Sequence, residues 1–213
     1  MTKYLSKWYI YLSVIAVVVA SFCIAVGVKV APKEHERVDF FIGANNAKVS
    51  EIENKLNENL PEGIVTVSPK FHYVDAENFN YIFSSYKETV DFYILPMNFV
   101  RDNKSLATGS AQNLDRSVEY LNIYLGKTLE YCTFPDSDMK TYVKGFKVYD
   151  CIKDEGILKN YITYNLPETK VEDKSDYYLF FNFKSINCGE VNNNSKTDNA
   201  LKIIKRMFEY ETL

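Results

Sequence analysis

Histidine is almost missing from this chain. Two are present in 213 residues, His35 and His72, and neither has a second ligand beside it at metal-binding spacing. Also absent are Cys-x-x-Cys, His-Glu-x-x-His, Gly-x-Ser-x-Gly, a Walker loop and Gly-x-Gly-x-x-Gly, each of which would bring a defined chemistry. The sequence therefore points away from a metal centre, a bound cofactor and an enzyme. An excess of positive charge is lacking as well. All 28 acidic residues lie beyond Ala31, together with 22 of the 25 bases, so that part carries about −6 and makes an unsuitable partner for nucleic acid. No internal repeat or low-complexity linker divides it, and about 180 residues suit one domain with a substantial core. Cysteine is sparse: Cys23 lies in an apolar run, and Cys132, Cys151 and Cys188 cannot all pair with one another. A Cys132–Cys151 disulfide and free buried thiols both stand open.

What is present begins with that apolar run. Trp8–Val28 reads WYIYLSVIAVVVASFCIAVGV, without a charge, Asn, Gln or Pro. At about 1.5 Å per residue, a helix of this length covers the roughly 30 Å hydrocarbon core of a bilayer and satisfies its own backbone there. The run exceeds a signal peptide's apolar core, and no small-x-small site closes it before the charged stretch Lys33–Arg37, so an uncleaved anchor is expected. Lys3 and Lys7 face Lys29, Lys33 and Arg37 across it, a nearly balanced count. A short head is easily retained while a long tail is threaded through. The expected organisation is a cytoplasmic head at 1–7, a transmembrane helix at 8–28, a juxtamembrane linker at 29–37 and an extracytoplasmic domain at 38–213, with the lipid bilayer as its first partner. Tyr4, Trp8, Tyr9 and Tyr11 would form an aromatic belt at the inner interface.

Within the domain, Val38–Gly43 (VDFFIG) reads as a strand buried on both faces. Val49, Ile52, Leu56 and Leu60 then recur at helical spacing, between a start at Asn45/Asn46 and the stop Pro61-Glu62-Gly63. Ile64–Tyr73 predicts a second strand with Pro69 at an edge or bend, Asp75 a cap for a helix carrying Phe79, Ile82, Phe83 and Tyr86, and Asp91–Leu95 a third strand. This alternation implies an α/β fold with a mostly parallel sheet and helices on both faces. Further along, a helix is expected around Leu114–Leu125, an irregular segment at Thr133–Asp136, and strands at Gly145–Tyr149 and Tyr177–Phe183. Asn192–Ser195 reads as a surface loop, and a closing helix capped by Asp198 would turn Leu201, Ile204 and Phe208 to the sheet.

Ligands on open α/β sheets gather outside the carboxyl ends of the strands. That rule singles out Gly43, Ala44, Asn45 and Asn46 after the first strand, and Pro96, Met97 and Asn98 after the third. Backbone N–H groups at helix starts and Asn amides there would suit a polar or anionic ligand. Asp39 and Asp91 lie at the opposite end, and His72, between Phe71 and Tyr73, reads as structural. A thiol nucleophile at Cys132 or Cys188 is the remaining enzymatic route.

Three stretches resemble the extracellular solute-binding proteins of bacterial ABC importers, the type 2 periplasmic-binding class. VDFFIGANNAKVSEIENKL is similar to that family's first strand and helix, and DFYILPMNFV to its third strand and turn. YYLFFNFKSINCGE with ALKIIKRMFEYE resembles its late strand-to-helix return, and GFKVYD at 145–150 the strand leading toward a second lobe. The resemblance implies ligand capture between two lobes, yet only 26 residues separate Asp150 from Tyr177. A second lobe of about 100 residues has no room. The expectation is thus a reduced, one-lobed binding domain for a small polar solute or a membrane protein partner. The alternative is a structural or assembly component with no small-molecule site.

Overall fold

The computed structural model describes residues 2–30, 32–136, 138–163, 174–189, 191 and 198–210. They form two units, 1–33 and 34–213.

The first unit is one helix, α1 (Thr2–Val30), of 29 residues. Its side chains are described from Trp8 to Ile24, and every one of them is exposed. The hydroxyl of Ser13 turns back to the Tyr9 carbonyl at 2.8 Å, which leaves the helix surface apolar. Among the described residues no helix is long and apolar enough to cross a membrane.

The second unit opens with a 3-10 turn at Glu34–Glu36 and builds a mixed sheet with helices on both faces. In chain order its elements are β1 (Arg37–Ala44), β2 (Asn46–Ala47), α2 (Val49–Asn57), β3 (Thr66–Tyr73), α3 (Phe79–Tyr86), β4 (Phe92–Pro96), α4 (Met97–Asp102), α5 (Lys104–Thr108) and α6 (Val118–Leu125). There follow β5 (Tyr131–Pro135), β6 (Thr141–Asp150), β7 (Glu155–Gly156), β8 (Ile162–Thr163), β9 (Tyr177–Phe181) and α7 (Asn199–Glu209). The main sheet runs β3-β1-β4-β9-β6-β5, with β7 added to β6. The expected parallel unit is β3-β1-β4. Beyond it, β9 enters antiparallel to both β4 and β6, and β5 pairs antiparallel with β6.

Side-chain alternation explains the layers. Val38, Phe40, Ile42 and Ala44 of β1 join Phe92 and Ile94 of β4 and Leu179 and Phe181 of β9 in one core, beneath α2, α6 and α7. Phe41, Tyr93, Leu95, Tyr178 and Phe180 point the other way, into a second core under α3, α4 and α5. A strand buried on both faces must read as an unbroken apolar run, as β1, β4 and β9 do. Pro69 does fall in an edge strand, β3. There the Asn57 amide donates to the Val67 carbonyl at 2.9 Å and accepts its N–H at 2.9 Å, occupying the outer rim as another strand would.

Several expectations are corrected. The helix after β1 begins at Val49, because Asn46–Ala47 is drawn into a two-stranded pairing with β8. Neither Asp75 nor Asp198 caps a helix with its side chain: α3 starts at Phe79 behind Asn78, and Asp198 instead pairs with Lys202 at 3.3 Å. The helix expected around Leu114–Leu125 is shorter, starting at Val118. Thr133–Pro135 is strand, the rim of the sheet tolerating Pro135. Cys132 and Cys151 do not pair, and all four thiols are free. Cys132 sits opposite Gly145, six residues before Cys151 on the adjoining strand and its end, about 20 Å at strand rise and far beyond disulfide reach. Leu201, Ile204 and Phe208 are buried in the first core, as expected. The loop read at 192–195 lies outside the described residues.

Candidate functional site

β1 and β4 are neighbours, so the two stretches singled out from the sequence do arrive on adjoining strands. They do not form an open site. Gly43 and Ala44 are strand residues rather than loop, paired with His72 and Tyr73 and buried. A Cβ on Gly43 would meet Phe79 Cζ at 2.6 Å, so the glycine is there to let α3 lie close to the sheet. Asn45 follows half-buried, and Asn46 is committed to the pairing with Thr163. Pro96 ends β4 and precedes α4. The Met97 N–H donates to the Asp176 carbonyl at 2.8 Å and the Asn98 N–H to Ser175 Oγ at 3.0 Å. The amides that would have held an anion are thus engaged by the segment leading into β9.

A concavity lies elsewhere at the carboxyl end, beyond β6. It measures about 630 Å³ and is walled by the ends of α6 and α7 and the segment Glu155–Tyr161. Gly126, left-handed at φ 69°, ends α6 and returns its N–H to the Asn122 and Ile123 carbonyls, which opens one side. The opposite wall is strained: Leu158 in it, buried nonetheless, and Asp154 just before it hold positive φ of 60° and 54°. Asp154 is fixed by the Tyr149 hydroxyl at 2.6 Å and Lys159 at 2.9 Å, which pull its carboxyl below the usual range. Lys127 stands 4.1 Å over the Phe208 ring at the rim, and Lys205 lies 5.3 Å from the centre of Tyr124. The mouth is therefore aromatic, with cations held over rings, beside the carboxylates of Glu155 and Glu209. Sequence reasoning missed these residues, since the cavity joins segments from three distant parts of the chain.

The other polar groups are tied into structure. Asp39 and Asp91 lie at the amino end, where each backbone N–H is taken by the other residue: Asp39 N–H by the Asp91 carboxylate and Asp91 N–H by the Asp39 carbonyl, both at 2.8 Å. Burial pushes the Asp91 carboxyl up, against bonds from Ser185 Oγ at 2.5 Å, the Asp39 N–H and Asn187 Nδ2 at 3.1 Å. Asn187 also donates to the Arg37 carbonyl at 2.8 Å, so this cluster staples the turn after β9 to the start of β1. Nothing at 187 advertised that role in the sequence. His72 packs edge-on to Phe79 at 6.1 Å. Lys147 sits among Glu130 (2.7 Å), Asp176 (2.8 Å) and Asp150 (3.7 Å). Burial works against its charge, yet these partners outweigh it and hold the ammonium above its ordinary pKa. Burial pushes the thiols of Cys132 to about 12 and Cys151 to about 11, and raises Cys188, whose Sγ donates to the Asp91 carbonyl at 3.1 Å. None is thiolate near neutral pH, the form a nucleophile needs.

Among the described residues no group of three or more His, Cys, Asp or Glu is placed to hold a metal ion. No protein-family profile, no curated protein and no solved structure matches this chain.

Proposed function

We propose that the chain is a membrane-anchored, non-enzymatic binding domain, held by Trp8–Val28 with its amino terminus cytoplasmic and residues 38–213 outside, which takes a small polar solute at the carboxyl end of its sheet. The observation that carries this reading is the cavity beyond β6, whose 630 Å³ falls within the roughly 300–1,000 Å³ of small-molecule sites. The anchor is supported by α1 itself. A helix apolar on all sides needs lipid or a protein core around it, and Trp8–Ile24 are exposed throughout. The thiols of Cys132 and Cys188, buried and raised by burial, favour binding over catalysis.

The resemblance to solute-binding proteins bears on where the ligand sits. β6 ends at Asp150, and the chain next joins the main sheet beyond β7 as β9, which returns between β4 and β6 before α7. That is the order of the strand toward a second lobe and the late strand-to-helix return. The cavity wall Glu155–Tyr161 belongs to this connection, which on the resemblance stands where the second lobe would be.

The test is thermal unfolding of the full chain in lipid nanodiscs against a panel of sugars, amino acids and short peptides. A ligand at about 100 times its Kd stabilises by about 2.7 kcal/mol, roughly 5–10 °C for a domain of this size. The shift should vanish in Lys127→Ala/Lys205→Ala and survive in Asn45→Ala/Asn46→Ala/Asn98→Ala. A panel without any shift would leave the assembly-component reading. Protease added to intact cells should remove the domain, and protection would reverse the topology.

A further inference from the structure

The chain enters its domain at the end opposite the cavity. Glu34–Glu36 lead into β1, while β3, β4 and β6 begin at that same end and β9 finishes there. Four large apolar side chains are exposed on it: Val65 (55%), Phe183 (53%), Ile186 (44%) and Met139 (88%). Val65 and Ile186 flank the entering chain. The Val65 N–H donates to the Glu36 carbonyl at 2.7 Å, and Asn187, next to Ile186, donates to the carbonyls of Glu34 at 3.4 Å and Arg37 at 2.8 Å. Phe183 follows β9, its N–H on the Ser110 carbonyl at 3.1 Å, and Met139 is at the tip of the β5–β6 hairpin. Between them Lys184 pairs with Glu88 and Arg37 with Asp39, so these pairs leave neither sign of charge in excess.

We propose that this end of the domain lies on the surface of the lipid bilayer, with Val65, Phe183 and Ile186 at the boundary of headgroups and acyl chains and Met139 reaching it from the hairpin. The proposal rests on the anchor reading above. Chain length identifies the occupant: three residues separate Val30 from Glu34, and four Cα steps span at most about 15 Å. With the span ending at Val28, two further helical residues add about 3 Å, so Glu34 lies within about 18 Å of the point where α1 leaves the lipid. A tether so short keeps the apolar end at high effective concentration beside the membrane, so a few side chains suffice for contact. The contact is carried by the apolar side chains, Lys184 and Arg37 being held by Glu88 and Asp39, and an apolar contact is insensitive to salt.

Trp8 is the one tryptophan in the chain, which makes a direct test available. The full chain is reconstituted in phosphatidylcholine vesicles containing lipid spin-labelled near the headgroup. Trp8 in the unmutated protein reports insertion of α1. In a Trp8→Phe background, Phe183→Trp and Ile186→Trp report this end, and Ile152→Trp, a 91% exposed position just after β6, reports the other. The expected result is emission from positions 183 and 186 quenched about twofold by the labelled lipid, as for tryptophans at interface depth, equally at low and high salt. Position 152 should be unaffected. Quenched Trp8 with unquenched 183 and 186 overturns the proposal while sparing the anchor. Protection of 183 from aqueous iodide without quenching by lipid overturns it in favour of a protein occupant, such as a second copy. Unquenched Trp8 removes the anchor and the proposal together.

Discussion

Replacing Gly43 by alanine tests whether this residue serves a ligand loop or the packing of α3. Gly43 is inside β1, opposite His72, and its φ is not in the left-handed region, so the backbone itself accepts alanine. Relief of glycine's entropy would favour alanine by about 0.5–1 kcal/mol. Packing acts the other way. The new Cβ falls 2.6 Å from Phe79 Cζ and 3.0 Å from Leu95 Cδ2, well inside the roughly 3.5–4.0 Å of ordinary carbon contact. Phe79 has little room to retreat, for the rings of Phe41, Phe83, Phe99 and His72 stand 5.9, 6.0, 4.9 and 6.1 Å from its own. Overpacking of this kind costs about 1–3 kcal/mol, leaving a net loss of about 1–2 kcal/mol. The midpoint of unfolding should therefore drop by roughly 2–8 °C, read by circular dichroism on the full chain in nanodiscs. Adding Phe79→Leu removes the atom in conflict. The double variant should lose less than the sum of the two singles, with a coupling of about 1 kcal/mol. An alanine variant as stable as the parent, or strictly additive with Phe79→Leu, would refute the packing role and return Gly43 to the ligand loop.

Three further outcomes are expected. Asn187→Ala strips donors from the buried Asp91 carboxylate and the Arg37 carbonyl, and should lower the unfolding free energy measured in urea by about 1.5–3 kcal/mol; no change would mean the staple is idle. Burial raises the Asp176 carboxyl, but its bonds from Lys147 and Cys151 outweigh that and leave it below its ordinary pKa. Stability from this group is complete above the unfolded value of about 3.9 and drains as pH falls through the folded one, so Lys147→Met should flatten the acid limb of the unfolding curve. Iodoacetamide at neutral pH should leave Cys132 and Cys188 unmodified until the protein is unfolded, as followed by intact mass, and their rapid alkylation in the native state would reopen the nucleophile.

The legible parts of this fold are those in which one element carries its own signal. β1, β4 and β9 announced themselves as unbroken apolar runs, and α2, α3 and α7 through helical spacing of Ile52 with Leu56, Phe79 with Phe83, and Leu201 with Ile204 and Phe208. Boundaries went astray where a distant segment decides them. Asn46 looks like a helix start until Thr163 arrives to pair with it, and Pro135 looks like a break until the strand carrying it proves to be a rim. For the candidate site the sequence pointed to the carboxyl end of the sheet, and the concavity beyond β6 lies at that end but on other residues. Gly43 and Asn98 fit a ligand loop by type, yet Phe79 and Ser175 occupy the space and the amide respectively. Asn187 and Leu158 carried no local signal, because their roles consist of partners remote in sequence.

Among the described residues β9 is the last strand, and yet it lies inside the sheet, between β4 and β6. Until residues 177–181 emerge from synthesis, the protein exists as two incomplete ribbons, β3-β1-β4 and β6-β5, each with a sticky flank where β9 belongs. The sheet is therefore continuous only once β9 is in place: without residues 177–181, β4 and β6 each keep an open flank. Open strand flanks of that kind invite mispairing with other chains until β9 covers them.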